Sequence, residues 1–375
     1  MGLYLKELIE IKSAYLITLV FGIIFLCLSL QDIAVDGWSV TIVKEENLSY
    51  SSSAQTIGLS AGVFLSTTIY FALNSVDFCN KFIRPMYTSP DDLSDISKGP
   101  YSLPLLDETS FMKGWGIITI LISIYTLILH DEKEDRVQPE VENSSIMDIF
   151  KLTVRLIYNK NMLYFMLFLC SYKLFSSFSI TSSIYLLDEK MYPQMNYSIL
   201  TGIIFPFEIL ISSYCSKWIY QNPFKVIYYI QIGGVFMNII YINIFLANYD
   251  AIHQYSQGSI DILSILLFIL LLFSTLIGTI TFSGLIAIMS KSCDKNNGGT
   301  HITILASFSN AIGTIPILYS YRIIDSYGMF IPTFIGSVLT FILLIAVKPV
   351  VDYLEKSKRE DWSPQGKDQK YEKVL

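Results

Sequence analysis

Lys173 and Glu208 stand where the sequence makes a charge hardest to explain. Lys173 lies near the middle of the apolar block 162–187, and Glu208 at similar depth in the next block, 199–217. A charged side chain at the centre of a bilayer costs about 2.5–3.5 kcal/mol on insertion scales. Each must therefore have a partner or a function. Helices joined by a short loop are usually neighbours, so the two residues can form a structural ion pair. The functional alternative makes Lys173 the cation for an anionic substrate. Glu208 then neutralises it when the site is empty, or acts as a proton-linked switch. Ser177 and Thr181 follow Lys173 at helical spacing and extend its face with hydroxyl groups. A second polar stripe, Thr303, Ser307, Asn310 and Thr314, runs along block 300–319, and a third, Ser274, Gly278 and Thr281, along block 260–289. Such faces point into a helical bundle or a wet cavity, or simply hydrogen-bond one helix to another.

A third feature is the string Gln31-Asp32-Ile33-Ala34-Val35-Asp36-Gly37-Trp38. Asp32 and Asp36 share a helix face at the membrane edge, beside a tryptophan suited to that interface. No P-loop, HExxH or metal-spaced Cys/His cluster is present, and His130, His253 and His301 are scattered. The expectation is a protein that is not an enzyme and needs no metal or cofactor.

The elements that position these residues are helices in lipid. Of the 375 residues, 52% are hydrophobic and only 15% charged, against about 25% charged in a soluble domain. Mean hydropathy is +0.49. The apolar residues fall in nine blocks, 14–30, 57–73, 114–129, 162–187, 199–217, 226–247, 260–289, 300–319 and 329–347. A membrane-crossing helix needs about 17–25 such residues, and only a helix satisfies its own backbone in lipid. The fold expected is an all-α polytopic membrane protein with nine transmembrane helices. No small-x-small cleavage site follows the first block, so it reads as a retained helix. A net charge of −6 leaves no basic footprint for nucleic acid. Five cysteines are too few for a disulfide scaffold. Cys79 and Cys293 could pair only if their loops met.

Loop Lys and Arg prefer the cytoplasm. Seventeen of the 26 fall on one side of the nine-helix plan and eight on the other, Lys173 being the last. The C-terminus is then cytoplasmic. The longest charged interval, 130–160, divides three helices from six. Within it Ile146, Ile149, Phe150, Val154 and Ile157 recur at helical spacing, as in an amphipathic helix on the membrane surface or a solvated linker helix. The division expected is a partial N-terminal bundle at 1–129, a cytoplasmic linker at 130–160, a six-helix bundle at 161–347 and a charged tail at 348–375, disordered from Asp352. The third and ninth blocks carry few polar residues after their first turn and read as peripheral.

The string QDIAVDGW, residues 31–38, closely resembles the hallmark of the acetyl-coenzyme A transporter family of the major facilitator superfamily. Glu46-Asn47 with Tyr50, Asp77-Phe78-Cys79-Asn80-Lys81, Gly298-Gly299-Thr300 and Ser309-Asn310 look like the same family. Lys173-Leu174-Phe175-Ser176 is similar to its lysine-bearing helix. A related motif occurs in bacterial muropeptide permeases. The resemblance implies twelve helices in two halves with alternating access between them, and import of acetyl-CoA from the cytosol into the endoplasmic reticulum or a secretory lumen. The partners implied are acetyl-CoA or a similar anionic small molecule, membrane lipid and a coupled proton. Against that plan this chain begins at the fourth helix. Its third and ninth blocks become peripheral helices six and twelve, and its polar-striped blocks become cavity-lining helices seven, ten and eleven. The sixth block, with Gln231 and Asn238, is a misfit because it falls at a peripheral position. Lys173, Ser177, Thr181, Ser307 and Asn310 are the substrate-binding candidates. Gln31, Asp32, Asp36, Trp38 and Glu208 are the candidates for gating or coupling. The alternatives are a permease for another bulky anion or peptide-like solute, and a truncated membrane protein that acts by association.

Overall fold

The structure is a computed structural model that describes residues 7, 13–42, 47–86, 102–129, 151, 154–176, 181–255, 262–293 and 298–362. Its principal helices are α1 (Ala14–Ile42), α2 (Leu48–Val63), α3 (Glu108–Leu129), α4 (Lys160–Lys173), α5 (Gln194–Gln221), α6 (Pro223–Asn238), α7 (Ile262–Ser292), α8 (Gly298–Tyr327) and α9 (Phe330–Lys356). There are no strands among the described residues. α2 continues through a π-helical stretch, Phe64–Ile69, into Tyr70–Asn74, and α6 through another, Ile239–Phe245. Among the described residues, eight helices are long and apolar enough to cross a membrane. The chain is an all-α, multi-pass integral membrane protein.

The ninth expected crossing, block 162–187, is not one such helix. α4 stops at Lys173, a turn covers residues 174–176, and helix returns at Ser182–Ile184 and in the π-helical stretch Tyr185–Glu189. The cause is local. The Ser176 hydroxyl donates to the Lys173 carbonyl at 2.9 Å and Ser171 to that of Phe168 at 2.6 Å. Serine hydroxyls offer the backbone alternatives to the helical ladder, and this segment is full of them.

α7 lies at the centre, packed against α2, α5 and α6. α9 packs against α4 and α6, and α8 against α1 and α4. One core gathers Phe165, Phe168 and Leu169 of α4 with Ile227 of α6 and Leu344 and Val351 of α9. A second gathers Leu186, Ile242, Leu246 and Leu267. Because lipid is as apolar as these side chains, close packing holds the helices together rather than escape from water. α6 and α7 approach closely at Gly284, where an added Cβ would sit 2.7 Å from Ile227 Cγ1.

The two blocks expected to be peripheral differ. α3 exposes its apolar residues from Ile117 to Ile128. α9 buries one whole face, Thr333, Gly336, Thr340, Leu344, Val347, Val351 and Leu354, and exposes the other, Ile331, Ile335, Ile342 and Ile345. Its small polar residues were too few to look like a stripe, yet at this seven-residue spacing they form a packing seam. The interval expected to hold an amphipathic helix lies mostly outside the described residues, including Ile146, Ile149 and Phe150. Where helix is seen, at residues 154–157, the buried residue is Leu156, which lies off the expected stripe.

The charged tail is ordered well beyond Asp352. α9 runs to Lys356, and a 3-10 turn, Arg359–Trp362, folds back onto the bundle. Trp362 is 3% exposed. It stacks on Phe224 at 6.2 Å and meets Phe165 edge-on at 6.2 Å. The Asp361 carbonyl accepts from the side-chain amides of Asn159 and Asn161 at 3.1 and 3.3 Å. Arg359 donates to the Cys293 carbonyl, and Glu355 accepts the Lys225 backbone N–H at 2.9 Å. Burial of one indole and the reach of one carbonyl outweigh the charge of the segment. No disulfide joins the five cysteines; Cys79 and Cys293 are both buried.

Candidate functional site

Lys173 is the last residue of α4, and its ammonium points at α8. Nζ donates to the Ser309 carbonyl at 2.9 Å and to the Ser309 hydroxyl at 2.6 Å. The aliphatic stem runs beside Gly313, where an added Cβ would lie 3.7 Å from Lys173 Cδ. Among the described residues no ion pair joins Lys173 to Glu208. α4 and α5 are separated by the turn after Lys173 and the helical stretches Ser182–Ile184 and Tyr185–Glu189, and they pack elsewhere, α4 against α8 and α9, α5 against α2 and α7. The break after Lys173 turns the chain away before α5 begins.

The other residues expected beside Lys173 disperse. Ser177 lies outside the described residues. Thr181 is buried, at the start of the second half of the broken block. Ser307 and Asn310 are exposed, because α8 turns Ile302, Leu305 and Ser309 inward instead. Ser309, the residue that meets the lysine, lies off the stripe.

Glu208 lines a cavity of about 400 Å³ where α2 meets α5. Ser60, Thr67, Thr68 and Thr201 line it with hydroxyls, as do Ser183, Tyr197 and Thr275, beside the apolar side chains of Phe64, Phe205 and Ile204. The seam is closed on either side of the carboxylate. The Thr68 and Thr201 hydroxyls meet at 2.8 Å, and the Ser53 hydroxyl donates to the Ser212 carbonyl at 2.9 Å. Phe64 and Phe205 stack at 4.3 Å with their planes 8° apart. Gly202 lets the helices come close, since a Cβ there would lie 3.3 Å from Thr68 Cγ2. The π-helical stretch of α2 falls at this contact, and Pro206 lies inside α5, next to Phe205. Both are places where the helical ladder gives way.

A second cavity, of about 360 Å³, adjoins the first and shares Ser183, Tyr197, Leu271 and Thr275 with it. Ser176, one turn beyond Lys173, lines it, as do Gln231 and Asn238 of α6. The sixth block, expected to be peripheral, thus supplies polar residues to the interior. They lie seven residues apart on one helix face, which is the signal that marks them. For Ser309 the signal was the Ser309-Asn310 pair itself.

The motif at residues 31–38 lies within α1, not beyond its end. α1 has 29 residues and so measures about 44 Å, longer than the roughly 30 Å hydrocarbon core. Gln31 and Asp32 are exposed. Asp36 and Trp38 are helical in backbone, and their side chains lie outside what the structure describes. No group of three or more potential metal ligands occurs among the described residues.

Residues 4–144 match the family model described as "Acetyl-coenzyme A transporter 1", the family that the motif resembles. An uncharacterized membrane protein of Saccharomyces cerevisiae is 30% identical over 374 residues, which covers 84% of this chain and 63% of that protein. An uncharacterized protein of Schizosaccharomyces pombe is 26% identical over 310 residues, covering 81% of this chain and 54% of that protein. The chain therefore spans less than two thirds of the length of either relative.

Proposed function

We propose that the chain moves acetyl-CoA across a membrane, from the cytosol into the endoplasmic reticulum or a secretory lumen, by alternating access between two bundles of the major facilitator type. The observation that carries this reading is Lys173. Among the described residues its ammonium is held by two neutral oxygens of a single serine. A phosphoryl oxygen is a stronger, charge-assisted acceptor, so an anionic substrate can displace Ser309. A flexible point charge suits a group that must later be released. The match of residues 4–144 to the acetyl-CoA transporter family supports the substrate class.

In this reading Glu208 is the coupling group. It sits between the two hydroxyl contacts that close α2 on α5, so a proton gained or lost there alters the seam between the first three helices and the rest. Gln31, Asp32, Asp36 and Trp38, on the far part of α1, control the closing movement by charge pairing or helix-end hydrogen bonds. The test is uptake of labelled acetyl-CoA by proteoliposomes. Wild-type protein accumulates label, and Asp36→Asn slows uptake with little change in equilibrium binding. Absence of uptake by well-folded wild-type protein refutes the transport reading. Equal loss of binding and uptake in Asp36→Asn refutes the gating role.

A further inference from the structure

The cavity bounded by α6, α7 and the Ser182–Ile184 turn has a lining of unusual chemistry. Among the described residues it is lined by carboxamides and hydroxyls, Gln231, Asn238, Ser183, Tyr241, Ser274 and Thr275, and by no Asp, Glu, Lys, Arg or His. Such a surface selects for no charge. It offers both donors and acceptors, which is what a secondary amide needs on its two edges.

The orientation of Gln231 follows from its neighbour. The Thr281 hydroxyl donates its single hydrogen to the Ile277 carbonyl at 2.7 Å. Toward Gln231, at 2.7 Å, it can therefore only accept. The Gln231 Nε2 faces Thr281, and Oε1 is left as an open acceptor. Gly234 keeps that oxygen accessible, since an added Cβ would lie 3.6 Å from it. Asn238, two turns along, makes no hydrogen bond to any described residue. Tyr241 is 4% exposed, and its hydroxyl faces that of Ser182 without a hydrogen bond of normal geometry. Buried polar groups are almost always satisfied. Three under-used polar side chains around one cavity point to a ligand that completes them.

We propose that this cavity binds the uncharged, amide-bearing part of the transported molecule. In acetyl-CoA that part is the pantetheine arm, with its two amides, and the phosphoryl end goes to Lys173, one turn from the cavity wall at Ser176. The identification of the arm rests on the transport reading above; the preference for amides rests on the lining alone. A short N-acetylated, amidated peptide presents the same chemistry from another source.

The test uses the purified protein and acetyl-pantetheine, which carries the amides and no phosphate. It binds wild-type protein, measured by thermal shift, and competes with acetyl-CoA uptake. Asn238→Leu removes no hydrogen bond within the described protein, and Tyr241→Phe only a loose contact with Ser182, so both keep a folding midpoint close to that of wild type. Each weakens acetyl-pantetheine binding about five- to tenfold, the worth of one or two neutral hydrogen bonds. Neither changes binding of 3′,5′-ADP, the charged fragment, which Lys173→Met weakens about 10–150-fold. If the wild-type protein ignores acetyl-pantetheine, or both variants bind it as wild type does, the proposal is wrong. If acetyl-pantetheine binding follows the variants but acetyl-CoA is not taken up, the amide site stands and the transport reading falls. Displacement by the amidated peptide at equal affinity keeps the amide chemistry and assigns the peptide as its source.

Discussion

Lys173→Met separates a cation that binds substrate from one that merely ties two helices. Methionine fills much of the lysine stem's volume and removes the charge. The loss comprises two hydrogen bonds, at 2.9 and 2.6 Å. Bonds to a charged group contribute about 1.5–3 kcal/mol each, so roughly 3–6 kcal/mol of attraction disappears. The ammonium's own cost within the membrane, about 2.5–3.5 kcal/mol, disappears with it. The net destabilisation is then only about 0–3 kcal/mol, and at roughly 2–4 °C per kcal/mol the thermal midpoint falls by less than about 12 °C. Uptake behaves differently. A lost charge-assisted contact to a phosphoryl group weakens substrate binding about 10–150-fold. Ser309→Ala is the informative partner. It removes the acceptor at 2.6 Å, leaves the carbonyl, and makes the ammonium easier to draw away, so substrate affinity holds or rises while stability drops by about 1.5–3 kcal/mol. Glu208→Gln, on a helix that does not pack against α4, adds to Lys173→Met independently. The assay is acetyl-CoA binding and uptake beside thermal unfolding in detergent, for all three variants. If Ser309→Ala loses binding as fully as Lys173→Met, each in proportion to stability lost, Lys173 is a strut and the reasoning fails.

Three other outcomes follow from the geometry. Trp362→Ala empties the slot between Phe165 and Phe224 and costs about 3–5 kcal/mol, read as a lowered unfolding midpoint that Trp362→Phe largely restores. Gly284→Ala drives a methyl into Ile227 and costs about 1–3 kcal/mol; in an Ile227→Ala background, which removes both Cγ1 and Cδ1, the same change costs little, and an undiminished cost there would show that α6 and α7 are not fixed at this contact. The acceptor sequences at Asn47 and Asn143 fall on the side that the Lys and Arg count assigns to the cytoplasm, so neither carries a glycan when the protein is expressed in a eukaryotic cell, as checked by glycosidase-sensitive mobility; sugar at Asn143 reverses the orientation.

The helical architecture was legible because membrane helices declare themselves by length and apolar content, and α1, α2, α3 and α5 to α9 all lie on expected blocks. The broken block was not legible that way. Hydropathy averages over Ser176 to Ser183, whereas the break depends on which carbonyl each serine hydroxyl reaches. Lys173 was correctly singled out by its depth, but its neighbour was not. Proximity in sequence suggested Glu208, and the turn after Lys173 sends the two residues to different helix pairs. Ser309 could not be ranked above Ser307 from spacing alone, because both belong to a serine-rich stretch and only the rotation of α8 distinguishes them. Trp362 sits among Lys358, Arg359, Glu360 and Asp361, a composition that reads as solvated. Nothing short of the tertiary fold places an indole between two phenylalanines there.

The fold-back at Arg359–Trp362 also sets an order of events during synthesis. Asn159 and Asp361, which it joins, are 202 residues apart in the chain. At about 5–20 residues per second, a ribosome needs roughly 10–40 s to cover that interval. Once made, Phe165 and Phe224 lack the indole that closes over them, and Asn159, the start of α6 at Lys225, and Cys293 lack the partners that later hold them. Helices α4 to α9 must therefore remain in the bilayer as a loosely assembled set until Trp362 clears the exit tunnel. During this interval membrane chaperones and quality-control proteases meet open helix ends. Any change that delays or weakens closure of this turn lengthens that exposure, and so lowers the amount of protein made even where the finished molecule would have been stable.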